Sequence, residues 1–506
     1  MKKALKSFPA IFFMLLFLPW IAFSQEEEKK PQPQSPVEEL IIEARSGSPP
    51  VLEFILGRPE KVTEVQFDFN YDGTYELTLP VNRGEGSTIF RGVPYRKPGV
   101  YNFRVNLLYS NGSSVFDYRF GFVDFRWGKD NFRFANDGVF ENRIKFVSDT
   151  VVEWGEEKFG ELSDVQKMVL LWIMYRIYRG SIGRCYGFSG GEVLFIEHPE
   201  LIPQPYLCTY DVPEWNEKII RQMDYLQNDI VFSNFVNGRI NLSEKQSSEK
   251  TRQELDKIKY SIAMGKPIVM GYQSDDMHHS MAIYGFWVRK NDGKTVLLAA
   301  NNWERKQDNN TFSEDAENII FIPPREEGKP YDISWTDLGK DKVRRPRAIF
   351  AIQIDSGYSI NSRDFFNMIS NEQKWLIDHD KAVIIIEKTQ GAYFMERKNY
   401  KKTGYIRRKN YNELPFVSFK KIDYNYIFEV DLKKLDAFRQ DGRNVVLILS
   451  RKRYNSEKRR YKDVNIFVIL PSNGVLKTQI MKPFEMEPYA EVHFSFTREG
   501  LHLMRR

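Results

Sequence analysis

Cys185 lies in the stretch IGRCYGFSGG and is one of two cysteines in the chain, the other being Cys208. The following residues, SGGEVLFIEH, predict a helix that begins near Cys185 and is stopped by Pro199. A thiol at a helix N-terminus meets free N–H groups and positive partial charge, which stabilise a thiolate. The same N–H groups can bind the oxyanion of a tetrahedral intermediate. Small residues around the cysteine, Gly183, Gly187, Ser189, Gly190 and Gly191, would let backbone and substrate come close. A thiolate also needs a base, and His279, in DDMHHSMAIYGF, opens a predicted strand. The next strand, LLAANNWE, ends in Asn301 and Asn302, and an amide oxygen there can fix the imidazole. The order nucleophile Cys185, base His279, orienter Asn301 therefore describes a nucleophilic site, with Asn302 the alternative orienter and Trp303 a wall over the Asn-His bond. Two plainer readings of the thiol stay open: a disulfide with Cys208, or a small buried residue.

Other residues with chemical potential form weaker patterns. Asp68, Asn70, Asp72 and Gly73 have the D-x-N-x-D-G spacing of many calcium loops, but Leu79 stands where an EF-hand has its bidentate Glu. Ordinary turn chemistry at Asp72-Gly73 explains the same residues. His278 reads as a strand-edge polar residue and His198, before Pro199, as a helix-end contact. His379, His493 and His502 are scattered without zinc-type spacing, and the chemistry at Cys185 needs no cofactor.

Several elements must hold these groups in place. Residues 160–178, GELSDVQKMVLLWIMYRIY, predict a buried helix with Ser163 and Asp164 as caps. SEKTRQELDKIKYSIAMG predicts an amphipathic helix ending at Gly265, followed by strands KPIVMGY, HSMAIYGFWVR and KTVLLAANN, and later AIFAIQI. Helices followed by antiparallel strands make an α+β domain. Before it, VTEVQFDFNY, TYELTLP, YNFRVNLLYS and VFDYRFGFVDF alternate like strands, with YDGT as a hairpin signal. After it, a helix over SRDFFNMISNEQKWLI leads into strands KAVIIIEK, NYIFEVDL, NVVLILSRKRY, NIFVILPS and AEVHFSFTR, spaced like another β-sandwich. Residues 126–139, RWGKDNFRFANDGV, precede the central domain and are placed across or beside its groove.

The ends and the charge distribution bound the setting. The first 24 residues carry a Lys-rich start, an apolar run of about 16 residues and a small-residue end, which reads as a signal peptide cleaved after Ser24. That run is short for a membrane span, so the membrane enters only through this segment if it stays uncleaved. QEEEKKPQPQSPVEE behind it is a disordered tether. The net charge of +6 is uneven: residues 381–506 carry 27 Lys and Arg against 14 acids, densest in ERKNYKKTGYIRRKN and RKRYNSEKRRYK. Outside the cell such runs suit an anionic cell-envelope polymer, and no nucleic acid is expected.

The motif GRCYGFSGGEVLF, the run HSMAIYGF with Gly285 six residues after His279, and NNW at 301–303 resemble the papain-like cysteine peptidase superfamily. Closer still are secreted bacterial relatives with G-x-C-x-G-M-S and Y-D-N-N elements. The likeness spans roughly residues 140–355 and implies Cys185, His279 and Asn301 as the catalytic set. It departs from the superfamily at the oxyanion donor, commonly a Gln a few residues before the Cys. Arg179 stands six before Cys185, the nearest upstream Gln is Gln166, and Arg184 is a candidate substitute or a means of lowering the thiol pKa. FDFNYDGTYELTL and KPGVYNFRVNLLYSNG resemble PKD/immunoglobulin-like modules of secreted bacterial proteins.

The expected organisation is a multidomain chain: signal peptide 1–24, linker 25–48, PKD/Ig-like β-sandwich 49–125, papain-like α+β domain 126–357 and C-terminal β-rich domain 358–506. The expected activity is hydrolysis of an amide bond in a peptide or protein substrate, outside the cytoplasm, through an acyl-enzyme. A different class of reading is a binding protein for the cell surface or envelope polymers, on a papain-like scaffold that has lost catalysis.

Overall fold

Alternation of apolar and polar residues carries over directly into strands in the first part of the chain. β1 (Leu40–Arg45), β2 (Val51–Leu56), β3 (Val62–Asp68), β4 (Leu77–Pro80), β5 (Thr88–Gly92), β6 (Gly99–Tyr109) and β7 (Gly112–Phe122) build two facing sheets. The computed structural model describes residues 40–45, 49–56, 61–81, 88–133, 150–177, 184–213, 216–240, 245–274, 278–301, 317–336, 343–355, 357–389, 391–396, 414–422, 425–441, 443–450, 464–486 and 490–504. The segment expected as a signal peptide lies outside these residues, as do the two basic runs, apart from Glu396 at the edge of the first. The linker expected over 25–48 is corrected at its end, because Leu40 to Arg45 pair antiparallel with Leu56 to Val51 in an unbroken register.

In the first sandwich, β1, β2 and β5 face β3 and β6 through an aromatic core. Phe54 of β2 meets Phe67 of β3 and Phe103 of β6 edge-on, at ring-centroid distances of 4.9 and 5.8 Å. Edge-to-face pairs of this kind add about 0.5–1.5 kcal/mol beyond the area they bury.

The sheet does not end where the first module was expected to end. β7 pairs with β9 (His278–Arg289), joining Tyr118–Phe122 to Arg289–Gly285. The resulting 11-stranded sheet runs from β4 through β3, β6, β7 and β9 into β10 (Thr295–Ala300), β11 (Glu317–Ile322), β12 (Asp332–Thr336) and β13 (Val343–Arg344). β8 (Ile268–Gln273) branches off β9 and pairs in turn with β14 (Ala348–Ile352). The 12-residue β9 thus gives the first half of one edge to β8 and the second half to β7. Gly285 sits at the change-over: a Cβ there would meet Leu298 Cδ1 at 2.8 Å and the Gly121 carbonyl at 3.0 Å.

Five helices pack on this sheet and on each other: α1 (Val151–Phe159), α2 (Asp164–Ile177), α3 (Cys185–Glu197), α4 (Glu217–Val236) and α5 (Ser248–Ala263). With α6 (Ser362–Asp378) and α7 (Leu432–Gln440) they make seven α-helices among the described residues. α2 opens on a capping box. The Gln166 N–H donates to Ser163 Oγ at 3.3 Å, and the Ser163 N–H donates to Gln166 Oε1 at 2.8 Å. Gln166 therefore has a structural task one helix away from Cys185.

The last part of the chain is a sandwich of two antiparallel sheets. One contains β15 (Lys381–Glu387), β17 (Val417–Ile422), β18 (Asn425–Asp431), β20 (Val464–Ser472) and β21 (Val475–Phe484). The other contains β16 (Gly391–Glu396), β19 (Val445–Ser450), β22 (Glu491–Thr497) and β23 (Gly500–Leu503). Strand alternation divides β15 between two cores: Ile384 and Ile386 face the second sheet, and Val383 and Ile385 join the cluster that contains α2 and α6. This outer face grips α2. Buried Glu387 accepts from Tyr175 Oη at 2.9 Å, and Lys420 Nζ donates to the Tyr175 and Arg176 carbonyls at 2.6 and 2.9 Å. A lysine on the terminal carbonyls caps the helix that precedes Cys185 in the chain.

Candidate active site

The first turn of α3 has no conventional N-cap. Arg184 occupies that position with φ −97° and ψ 25°, and its side chain caps nothing. It forms a buried ion pair with Asp224 of α4, with Nη2 to Oδ2 at 3.3 Å and a second, shorter contact from Nε to Oδ1. Burial pushes the Asp224 carboxyl up to about 6 against the pull of the Arg184 charge. Arg184 thus serves as an anchor between α3 and α4, rather than as the donor or thiol activator considered from sequence.

The helix N–H groups find other partners. The Gly187 N–H donates to Gln227 Oε1 of α4 at 2.8 Å, and Gln227 is fully buried. The glycines of this helix make room for α4 rather than for substrate. A Cβ on Gly187 would lie 2.1 Å from the Met223 carbonyl oxygen, one on Gly190 2.8 Å from Leu226 Cδ2, and one on Gly191 2.5 Å from Met223 Sδ. Gly183 lies outside the described residues.

Cys185 is a free, buried thiol at the head of α3. Burial pushes it up to about 11, opposed by the hydrogen bonds that the Tyr186 N–H, the Ser280 hydroxyl, the Ser280 N–H and its own N–H would give a thiolate. Two of these donors come from β9. The Ser280 N–H belongs to the peptide that joins His279 to Ser280. Ser280 is tied to α3 a second time, because Ser189 Oγ donates to the Ser280 carbonyl at 3.1 Å.

His279 and Asn301 are brought together. His279 is fully buried and its Nε2 lies 2.9 Å from Asn301 Oδ1, at a residue 8% exposed. An amide oxygen only accepts, so Nε2 carries the proton and Nδ1 is the acceptor nitrogen of the neutral ring. The sheet sets this contact: Ala282 of β9 pairs with Ala300 of β10, which carries Asn301 as the next residue. Tyr272, the register partner of His279 on β8, stands edge-on to the imidazole at 5.5 Å. Asn302 and Trp303 lie outside the described residues.

The remaining sequence candidates fall elsewhere. Cys208 is also a free thiol, donating to Asp211 Oδ2 at 3.2 Å, so the two cysteines are not a disulfide. His278 is half-buried opposite Gln273, His198 ends α3 and meets Glu200, and His379 stacks on Trp375. In the hairpin after β3, Asp68 accepts from the Asp72 and Gly73 N–H groups at 3.1 and 2.9 Å, while Asn70 donates to Glu76 Oε1 at 2.7 Å. Asp68, Asp72 and Glu76 bring carboxylate oxygens within 4.8 Å of one another, so Glu76 stands in the place expected for Asn70. Their hydrogen bonds to the hairpin account for them as turn chemistry.

Of residues 126–139, those described lie along the flank of α3. Phe132 packs on Phe188 and Phe195 at 5.1 and 6.2 Å, and its N–H donates to buried Glu192 Oε1 at 3.3 Å. A separate polar cleft of about 580 Å³ lies in the C-terminal sandwich, lined by Asp380, Lys433, Lys477, Gln479 and Arg498 among others. Sequence reasoning missed Asp224, Gln227 and Ser280. The first two lie in α4, whose buried polar run Gln227, Asn228, Asp229 blurs the apolar stripe. Ser280 directly follows His279 and was legible only as part of a strand. No family model matches the chain, and no curated protein matches it.

Proposed function

We propose that the chain is a secreted papain-like cysteine peptidase or amide hydrolase that works through Cys185, His279 and Asn301. The carrying observation is the buried His279 Nε2 to Asn301 Oδ1 hydrogen bond, on the strand whose Ser280 carbonyl accepts from Ser189 Oγ of the helix that Cys185 opens. Asn301 holds the ring so that Nδ1 is the atom that exchanges a proton. His279 takes the thiol proton, the thiolate attacks the carbonyl carbon of an amide, and the negative charge moves to the carbonyl oxygen. As that intermediate collapses, the C–N bond breaks and the imidazolium protonates the leaving amine. Water, deprotonated by His279, then releases the acid and restores the thiol. The Cys185 N–H at the head of α3 is the oxyanion donor that this reading assigns, since the Gly187 N–H is taken by Gln227.

Burial alone favours the neutral thiol, so reactivity at neutral pH rests on the imidazolium that His279 provides. The same burial is the observation that favours a second reading, a cell-surface or envelope-polymer binding scaffold without catalysis. Either reading takes the first 24 residues as the export signal and the basic C-terminal runs as the contact for an anionic envelope polymer. Among the described residues no helix is long and apolar enough to cross a membrane.

The deciding experiment follows alkylation of Cys185 with pH in the mature protein and in His279→Ala. An apparent pKa well below about 8.5 in the wild type, lost in the variant, supports the peptidase. Ordinary thiol behaviour in both supports the scaffold.

A further inference from the structure

Ser280 is fully buried on β9, where it faces α3 through Ser189. Ser189 Oγ donates its single proton to the Ser280 carbonyl at 3.1 Å, which leaves Ser189 Oγ an acceptor. Ser280 Oγ then has one proton and two acceptors beside it: Ser189 Oγ at 3.4 Å, and the Cys185 sulfur, one turn before Ser189 on the same face of α3, whose thiolate a Ser280 hydrogen bond would stabilise. The first is long for an O–H···O bond, which normally lies at about 2.5–3.0 Å. It competes weakly against a charged acceptor, because hydrogen bonds to ions are about twice as strong as neutral ones.

We infer that Ser280 is a fourth member of the site, whose hydroxyl turns from Ser189 to the Cys185 sulfur as the thiol loses its proton. This rests on Cys185 being the nucleophile, and it assigns the strand side of the site a task beyond carrying His279. Before deprotonation the hydroxyl rests on Ser189. Once the proton has passed to His279, the hydroxyl and the Ser280 N–H hold the thiolate from β9 while the first-turn N–H groups hold it from α3. The attacking atom is then fixed between two packed elements, and the charge is met by a rotation about one bond rather than by entry of water.

The test is alkylation of Cys185 against pH in Ser280→Ala, Ser280→Thr and Ser189→Ala, with thermal melting to establish folding. Ser280→Ala keeps the N–H and loses the hydroxyl, so the apparent thiol pKa rises by about one unit and alkylation at pH 7 slows about tenfold. Ser280→Thr restores most of the rate. Ser189→Ala removes the competing acceptor, so the pKa stays or falls, opposite in sign to Ser280→Ala. A purely structural role would move both alanine variants the same way, and that result overturns the inference. So does a Ser280→Ala profile identical to wild type while the His279 dependence persists. If the wild type shows no His279-dependent lowering at all, the nucleophile assignment fails and takes this inference with it.

Discussion

Arg498 and Cys185 each stand where polar groups from several elements converge, yet the two centres are held together differently. Arg498 donates from Nε to Asp436 at 2.6 Å and from Nη1 and Nη2 to Asp380 at 3.1 and 2.8 Å, at a side chain 40% exposed. Beside it, Gln479 donates to the Leu501 carbonyl and accepts from the Leu501 N–H. The cleft is roomy, but its guanidinium fork and its Gln amide are already engaged with neighbours. At Cys185 the groups are a thiol, an imidazole, an amide and a hydroxyl, all on buried residues. None of these four groups carries a permanent charge, so a proton can move among them and the hydrogen bonds can rearrange. Cleft volume locates room for solvent; sequestered, convertible groups locate chemistry.

The sharpest way to break this contrast is to remove the base. In His279→Ala no imidazolium can form, and burial, which pushes the thiol up to about 11 in the intact chain with no contribution from His279, should hold the apparent pKa there. Alkylation at pH 7 should then fall by two orders of magnitude or more relative to a thiol titrating near its ordinary value, about 8.5. An unchanged profile would place Cys185 with the inert polar groups. Next in size is Asp224→Asn, which strands the buried Arg184 without a counter-charge and should cost about 3–5 kcal/mol in denaturant unfolding. Replacing both partners, as in Arg184→Met with Asp224→Leu, should recover most of that loss. If it does not, the pair has a task beyond anchoring α3.

Much of this arrangement was legible from residues taken singly. Pro199 and the small-residue run bounded α3 to within a residue or two, the Ser163 cap marked α2, and the Cys, His and Asn motifs fell on the predicted helix and strand ends. Long-range pairing was not legible. Nothing in VFDYRFGFVDF says that its edge joins β9, because a strand's alternation fixes its faces and leaves its neighbours open. Helix α4 was missed because Asp224, Gln227 and Asn228 are buried and polar, which weakens the apolar period. Their polarity answers the needs of α3, for the Arg184 charge and the Gly187 N–H, which a reading of one segment at a time does not see. The glycines at 187, 190 and 191 misled for a related reason: a missing side chain marks close approach without naming what approaches.

A smaller effect follows from pH. Burial pushes the folded Cys185 thiol up to about 11, from the ordinary 9. The folded state therefore keeps a proton that the unfolded chain has lost, and stability from this group is complete below pH 9 and lost as pH rises through 11. In His279→Ala this amounts to about 3 kcal/mol of falling stability over that interval, from about 1.4 kcal/mol per unit. Denaturant midpoints in His279→Ala should fall with pH there, and those of the double variant with Cys185→Ala should lack that component. Equal slopes would mean that burial does not govern the thiol.

The smallest expected effect lies at the other centre. Arg498→Ala removes an exposed network of ion pairs, and exposed pairs contribute about 0–1 kcal/mol each because water and salt screen them. Unfolding should shift by that order, with most of the shift abolished in high salt. The alkylation profile of Cys185 should be unchanged, since Arg498 touches Asp380 and Asp436 in the C-terminal sandwich, whereas the Cys185 sulfur is held by α3 and β9. A changed profile would show that the C-terminal sandwich communicates with the thiol. The route open to it is α2, whose last carbonyls rest on Lys420 and whose Tyr175 rests on Glu387, just ahead of Cys185 in the chain. In that case Lys420→Met, which releases the α2 carbonyls and leaves Arg498 in place, should reproduce the change.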